Sequence, residues 1–136
     1  MEECIFCKIA SGEIPASKVY EDQRMIAFLD IMPASLGHTL IVPKKHYAHL
    51  EDADRSDFAA AMALARRIAN SVKKAIACDG VNVLINNREA AGQVVPHLHI
   101  HVIPRWKGDC LKFDWPHMKY GEGQMKEYQD KIASSI

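Results

Sequence analysis

The chain has 136 residues, of which 49% are hydrophobic, and its 17 Lys and Arg residues balance 17 Asp and Glu residues. Such a chain can form one domain with a core that needs no metal or disulfide, and its zero net charge argues against a nucleic-acid polymer as partner. No basic stretch followed by an apolar run opens the chain and no apolar run approaches a membrane span, so we expect a cytoplasmic protein without a membrane partner.

Hydrophobic periodicity and turn residues divide the first part of the chain into short elements. The predicted elements are a helix over 4–11, strands over 19–20 and 25–31, a loop over 33–37 and a strand over 38–42. A long helix follows, with Asp54 or Ser56 as its N-terminal cap and Cys78 near its end. Its apolar residues recur at helical spacing and are Phe58, Met62, Ala65, Ile68, Ala69, Val72 and Ile76.

The second part of the chain is predicted to contain two further strands and a C-terminal helix. These elements are a strand over 81–85, a polar loop over 86–93, a strand over 94–103 and a weakly patterned helix near 122–133. The pattern predicts a single α+β domain over 1–136, with its core at about 4–105 and a tail at 106–136. We expect a five-stranded antiparallel sheet with one long and one short helix.

Three histidines, His97, His99 and His101, alternate within the last predicted strand. Alternate residues of a strand share a face, so their imidazoles are expected on one side, about 6–7 Å apart. At this spacing neighbouring rings can flank one phosphate group, or two of them can reach one metal ion. The first and third rings would be roughly 13 Å apart, too far to share an ion, so the three must differ in role. A polar strand face that carries histidines by chance is the alternative without a function.

The run from His97 to Ile103 (HLHIHVI) resembles the signature of the histidine triad (HIT) family of nucleotide hydrolases and transferases. The similarity extends over about 4–105, through segments in the family's order at 5–9, 14–15, 28–31, 37–38, 41–44, 86 and 92–93. This resemblance implies the HIT-like fold. It also implies a homodimer in which the sheets of two subunits join into one continuous sheet.

The resemblance further implies the catalytic residues. His99 would attack the α-phosphorus of a nucleotide and form a nucleotidyl-histidine intermediate, which suits a neutral imidazole near pH 7. His101 and His38 would lie around the phosphate oxygens and the leaving group, where either can donate a hydrogen bond or a proton.

A site for a purine nucleotide is implied on the same grounds. Asp30 would accept hydrogen bonds from the ribose hydroxyls, although an Asp after a strand is otherwise typical of a turn. The base would lie in an apolar slot formed by Ile5, Phe6, Phe28, Ile31 and Leu40. The amides of Asn86 and Gln93, with Gly92 beside them, are suited to orienting a phosphate or a water molecule.

Cys4 and Cys7 form a C-x-x-C pair. A redox pair would need a thioredoxin-like strand-helix-strand context, which the N-terminal pattern lacks. Two thiolates and two imidazoles suit a closed structural zinc site, for which His46 and His97 are the candidate nitrogen ligands. The arrangement resembles a bacterial-type subset of the HIT family and leaves His99 and His101 for the substrate. Ordinary packing of the two thiols is the alternative.

The leading hypothesis is a hydrolase that cleaves at the α-phosphate of a dinucleoside polyphosphate or an adenosine phosphoramidate. Val94 stands where many relatives carry Ser or Thr, which removes one phosphate donor, and 103–105 (IPR) is more similar to branches with dinucleoside polyphosphate hydrolases. A non-catalytic nucleotide-binding adaptor with the same fold is one alternative. A zinc hydrolase in which a metal-bound water attacks is the other.

Overall fold

A computed structural model describes residues 3–136, in which five antiparallel strands form one sheet in the order β1-β2-β3-β5-β4. The strands are β1 (Lys18–Glu21), β2 (Met25–Leu29), β3 (Thr39–Pro43), β4 (Gly80–Leu84) and β5 (Ile100–Arg105). The helices described are α1 (Ile5–Ala10), α2 (Arg55–Ile76) and α3 (Gln124–Ala133), with single 3-10 turns at Leu50–Asp52 and Glu89–Ala91. The predicted five-stranded α+β architecture is confirmed.

The strand register sends side chains alternately to two apolar layers. On one face, α2 packs against the sheet through buried residues of both elements, namely Ala61, Leu64, Ala65, Ile68, Ala27, Ile41, Ile100 and Val102. On the other face, α1 contributes Phe6 to a second cluster with Ile26, Phe28, Leu40 and Val42. Because Phe28 pairs with Leu40 and Leu40 pairs with His101, this second face is the one that carries the last histidine of the triad.

The strand predicted over 94–103 is shorter and later than expected. It begins at Ile100 as β5, so His97 and His99 lie in irregular backbone before it. Pro96 has no N–H for a ladder, and the N–H of His97 donates instead to the carbonyl of Val95, at 2.8 Å, in a tight turn. The prediction that all three histidines belong to one strand is therefore wrong, although their rings still lie on the same side, where Phe6 contacts both His97 and His99.

One further strand boundary differs from the prediction, and one predicted helix cap is found at its position but without the expected hydrogen bond. Strand β2 ends at Leu29 since Oδ1 of Asp30 accepts from the N–H of Met32, at 2.9 Å, which forms a turn. At the start of α2, Asp54 occupies the cap position, but its carboxylate accepts from Lys45 and Tyr47 rather than from the helix.

The stripe of α2 that faces the sheet agrees in part with the predicted one, since Ala65 and Ile68 are buried and Ala69 and Val72 pack against the same cluster. Met62, predicted to face the core, is exposed, whereas Ala61 and Leu64 are buried. Ile76 is likewise exposed in part, at the end of the helix.

The C-terminal tail is exposed to solvent and does not pack into the core. Every residue over 112–136 is exposed, including α3, which forms where the sequence predicts a helix near 122–133. Large apolar side chains of this tail lie in solvent, among them Trp115, Met118 and Ile132. Among the described residues, no helix combines the length and the apolar character needed to cross a membrane.

Candidate active site and metal centre

His38 and His101 are joined by a hydrogen bond whose direction the main chain determines. Nδ1 of His38 accepts from the N–H of Ala34, at 3.0 Å, so neutral His38 carries its proton on Nε2. Nε2 lies 2.9 Å from Nδ1 of His101 and donates to it. His101 therefore keeps its own proton on Nε2, where it is available to a ligand.

His99 has the opposite arrangement of donor and acceptor. Its Nδ1 lies 2.7 Å from the carbonyl oxygen of His97, which can only accept, so Nδ1 carries the proton. Nε2 is then unprotonated and has a free lone pair. The ring is held edge-on by Phe6, with centroids 5.1 Å apart, and lies 4.8 Å from the ring of His101.

Burial keeps these imidazoles neutral at pH 7. It lowers the pKa of His99 and of His38 below the ordinary value, although Asp30 raises both in part. Burial, followed by the proximity of His99 and His38, lowers the pKa of His101 to about 4. The site thus offers an unprotonated nucleophilic nitrogen and a neutral N–H donor side by side.

The rings of His99 and His101 line a cavity of about 500 Å³ between α1, the end of β2 and the 86–95 loop. Eight of the nine residues predicted for nucleotide binding line it, namely Ile5, Phe6, Phe28, Asp30, Ile31, Leu40, Asn86 and Gly92. Sequence reasoning did not identify the apolar wall formed by Ile9, Ile14, Pro15, Ala16 and Val95. Ile9 and the Ile14-Pro15 pair lie in segments similar to the family, which was the signal for part of this wall.

Gln93, predicted to orient a phosphate or a water molecule, is the exception, because it does not line this cavity. Its Nε2 donates to the carbonyl of Ala48, at 2.8 Å, and its Oε1 accepts from the N–H of Arg88, at 2.7 Å. These two hydrogen bonds make Gln93 a connection between the 86–93 loop and the segment around Ala48. The clamp also maintains Arg88 at a φ of 74°, a conformation that is costly for a residue with a side chain.

Asp30 is fixed at the mouth of the cavity. Oδ1 is held by the N–H of Met32, and Oδ2 lies 3.8 Å from Nε2 of His38. Its side chain is 22% exposed, so a ligand can reach the carboxylate without displacing the protein's own contacts.

The four predicted metal ligands converge next to this cavity. One atom from each of Cys4, Cys7, His46 and His97 lies within 4.8 Å of every other. Nδ1 of His97 is 3.4 Å from Sγ of Cys4, 3.6 Å from Sγ of Cys7 and 3.1 Å from Nδ1 of His46. In a tetrahedral zinc site, neighbouring ligand atoms are about 3.3–3.8 Å apart, which these distances match within a few tenths of an ångström.

The hydrogen bonding of His97 also fits a metal ligand. Its Nε2 lies 2.8 Å from the carbonyl of Pro43 and donates to it, so Nδ1 presents a lone pair to the cluster. The two thiols and two imidazoles form a closed site of the structural zinc type.

A second group, Asp30, His38 and His101, also places its ligand atoms within 4.8 Å. A histidine ligand normally donates its other N–H to an acceptor, whereas Nδ1 of His38 accepts from Ala34. Nε2 of His38 therefore carries a proton and has no lone pair for an ion. This group does not fit a metal.

Comparisons with known proteins agree with this geometry. The model of the HIT domain family matches residues 11–108.

Adenylylsulfatase HINT3 of Arabidopsis thaliana is 49% identical over 109 residues, which make up 80% of this chain but only 55% of that protein. A crystal structure of a Streptococcus mutans protein has 38% identity and a TM-score of 0.94, covering 100% of this chain and 87% of its own. A zinc-bound histidine triad family protein of Mycobacterium smegmatis has 36% identity and a TM-score of 0.79, covering 99% of each chain.

We expect protein purified without chelators to contain about one zinc ion per chain, measured by elemental analysis. Cys4→Ala should lose the ion and lower the Tm by about 10 °C or more, because metal binding supplies folding free energy. Zinc should be released as the pH falls, since thiolates and neutral imidazoles bind only when deprotonated.

Cys110→Ala is the matched control, because Cys110 is a free and exposed thiol. It should change neither the zinc content nor the Tm. Metal-free wild-type protein whose stability is insensitive to Cys4→Ala would instead identify Cys4 and Cys7 as packing residues.

Proposed function

We propose, from the premise that this chain belongs to the HIT family, that it hydrolyses a purine nucleotide at the α-phosphate through a nucleotidyl-histidine intermediate. The bond cleaved is a phosphoanhydride or a phosphoramidate. The observation that carries the proposal is the unprotonated Nε2 of His99, in a ring that lines a nucleoside-sized cavity. The name of the HINT3 relative, an adenylylsulfatase, supports the same general reaction, hydrolysis of an adenylyl compound.

The reaction has two displacements in this scheme. In the first, the lone pair of His99 Nε2 forms a bond to the α-phosphorus, and the leaving group departs with the electron pair of the broken bond. An oxyacid departs as its anion, and an amine departs after taking up a proton from solvent. In the second, water attacks the phosphorus and loses a proton to solvent, while the P–N bond breaks and its electron pair returns to Nε2. In this proposal Nε2–H of His101 and the amide of Asn86 donate hydrogen bonds to the phosphate oxygens, a role that their presence in the cavity lining supports.

The metal cluster bears on the first alternative, a zinc hydrolase, and the cavity bears on the second, a non-catalytic adaptor. The metal cluster has four protein ligands, so a zinc-bound water has no open coordination position in which to form. A non-catalytic adaptor would bind nucleotides with the same cavity, and turnover of any nucleotide substrate distinguishes it from the enzyme.

His99→Ala should reduce turnover by at least about 10⁴-fold and leave nucleotide binding within a few-fold, because base and ribose are held elsewhere. Rapid quenching with nucleotide labelled at the α-phosphate should trap an acid-labile, base-stable adduct on the wild type and none on the variant. His117→Ala, an exposed histidine of the tail, is the control and should retain both turnover and adduct. An active His99→Ala enzyme would overturn the mechanism.

Asp30 is proposed to accept hydrogen bonds from the ribose hydroxyls. Asp30→Ala should weaken ribonucleotide binding by about 10-fold or more, as expected for a charge-assisted hydrogen bond, and narrow the preference over 2′-deoxyribonucleotides. Asp30→Asn retains an acceptor for the N–H of Met32 and controls for the local fold. A wild-type ratio between the two sugars in Asp30→Ala, measured by calorimetry, would remove Asp30 from the ribose site.

We also propose that the protein is a homodimer in which β4 strands, at one edge of the sheet, pair across the interface. Light scattering should give twice the 15.2 kDa of one chain. Val83→Lys on β4 should shift the mass towards the monomer, because a charge on an edge strand opposes pairing. Val19→Lys on β1, the opposite edge, should not. A wild-type monomer at micromolar concentration would exclude the dimer.

A further inference from the structure

Helix α1 carries residues of both the metal cluster and the nucleotide cavity. Cys4, at its N-terminal end, and Cys7 supply the two thiols of the cluster. Three side chains of the same helix line the cavity, namely Ile5, Phe6 and Ile9. The segment after α1 continues this wall through Ile14, Pro15, Ala16 and Ser17. One side of the proposed base slot is therefore built on the helix whose thiols belong to the metal cluster.

Over residues 3–136, no main-chain hydrogen bond joins α1 to the sheet. The main-chain hydrogen bonds of this helix stay within 4–14, where the N–H of Ser11 donates to Cys7 and the N–H of Ile14 donates to Lys8. A helix of six residues is too short to be stable in water by itself. Helix α1 therefore keeps its place through side-chain contacts with the rest of the protein.

These side-chain contacts are partly apolar and partly made by the thiols. Phe6 is buried and contacts the ring of Phe28 edge-on, with centroids 5.6 Å apart. In the part of the chain that the structure describes, the polar side-chain contacts from α1 and its cap residue to other elements are those of the two thiols. Sγ of Cys4 lies 3.4 Å from Nδ1 of His97, and Sγ of Cys7 lies 3.3 Å from Nδ1 of His46. An ion shared by these four ligands would attach α1 to the end of β3 and to the segment before β5.

We propose that Cys4 and Cys7, through the metal ion that they share with His46 and His97, hold α1 in place as a wall of the nucleotide cavity, so that metal binding and nucleotide binding strengthen each other. This inference rests on the proposed function, whose purine nucleotide occupies that cavity, and adds the regulation of the site by metal. Without the metal, the packing of Phe6 is the main attachment of α1, and the helix is ordered for only part of the time.

The coupling follows from the free energy needed to order α1. A nucleotide that binds the metal-free protein must order this helix, which weakens its binding by the fraction of time for which the helix is out of place. The metal removes that cost because its ligands order α1 beforehand. Such coupling is reciprocal, so a nucleotide raises the affinity for the metal by the same factor.

The structural test is amide hydrogen exchange in zinc-loaded wild-type protein and in the same protein stripped by a chelator. Amides of α1 should exchange at least about 10-fold faster after stripping, because the helix opens locally. Amides in the buried stretch of α2, from Ala61 to Ile68, should remain protected. Unchanged exchange in α1 would overturn the inference. Loss of protection in α1 and α2 together would also overturn it, since the metal would then stabilise the whole fold.

The binding test uses AMP and calorimetry at pH 7. The stripped protein should bind AMP about 10-fold or more weakly than the zinc-loaded protein, and added zinc should restore the affinity. In the converse measurement, saturating AMP should raise the affinity for zinc by the same factor, as measured by competition with a chelator. Equal AMP affinity with and without zinc would overturn this inference and leave the proposed function intact. Absence of AMP binding to either form would overturn both.

Cys7→Ser separates the role of a metal ligand from that of a packing residue, because a hydroxyl has nearly the volume of a thiol but is a poor ligand for zinc. The variant should show the weakened AMP binding and the fast α1 exchange of the stripped wild type. Cys110→Ser, at an exposed thiol, is the matched control and should behave as the zinc-loaded wild type. A Cys7→Ser protein that lacks zinc yet binds AMP with wild-type affinity would contradict the proposal. If Cys7→Ser does not fold, the stripped wild type decides the question.

Discussion

The hydrogen bond from Nδ1 of His99 to the carbonyl of His97 connects the two centres of this protein. The ring of His97 belongs to the metal cluster, and its main-chain carbonyl binds the ring of His99, the proposed nucleophile. The position of the carbonyl therefore depends on a side chain that Cys4, Cys7 and His46 enclose. A metal ion bound there would help to keep this carbonyl in place as the acceptor for the proton of His99.

The same side-chain type performs three tasks because the main chain chooses which nitrogen carries the proton. The carbonyl of Pro43 draws the proton of His97 to Nε2 and frees Nδ1 for a metal. A carbonyl partner at Nδ1 leaves Nε2 of His99 with a free lone pair. Nδ1 of His38 accepts from a main-chain N–H, so the proton of His38 is on Nε2 and is donated to Nδ1 of His101. Histidine chemistry here is decided by backbone atoms within about 3 Å.

The sheet and α2 could be predicted because hydrophobic periodicity is a local signal, and the Cys4-x-x-Cys7 spacing is likewise a local signal for a metal site. The role of Gln93 could not be predicted, because its amide donates to the carbonyl of Ala48, 45 positions away. Protonation states were beyond prediction for the same reason. They depend on which main-chain atom lies beside each ring, as with Ala34 and His38, and a residue pattern carries no information on that.

The late start of β5 has a consequence for how this backbone is used. Strands β3 and β5 pair only as far as Ile41 with Ile100, so the carbonyls of Pro43 and His97 lie beyond the last rung. In a ladder such carbonyls serve the neighbouring strand. Here each serves an imidazole instead. If β3 and β5 paired further, these two carbonyls would bind the neighbouring strand instead of the imidazoles. The proton of His97 and of His99 would then no longer be fixed on one ring nitrogen.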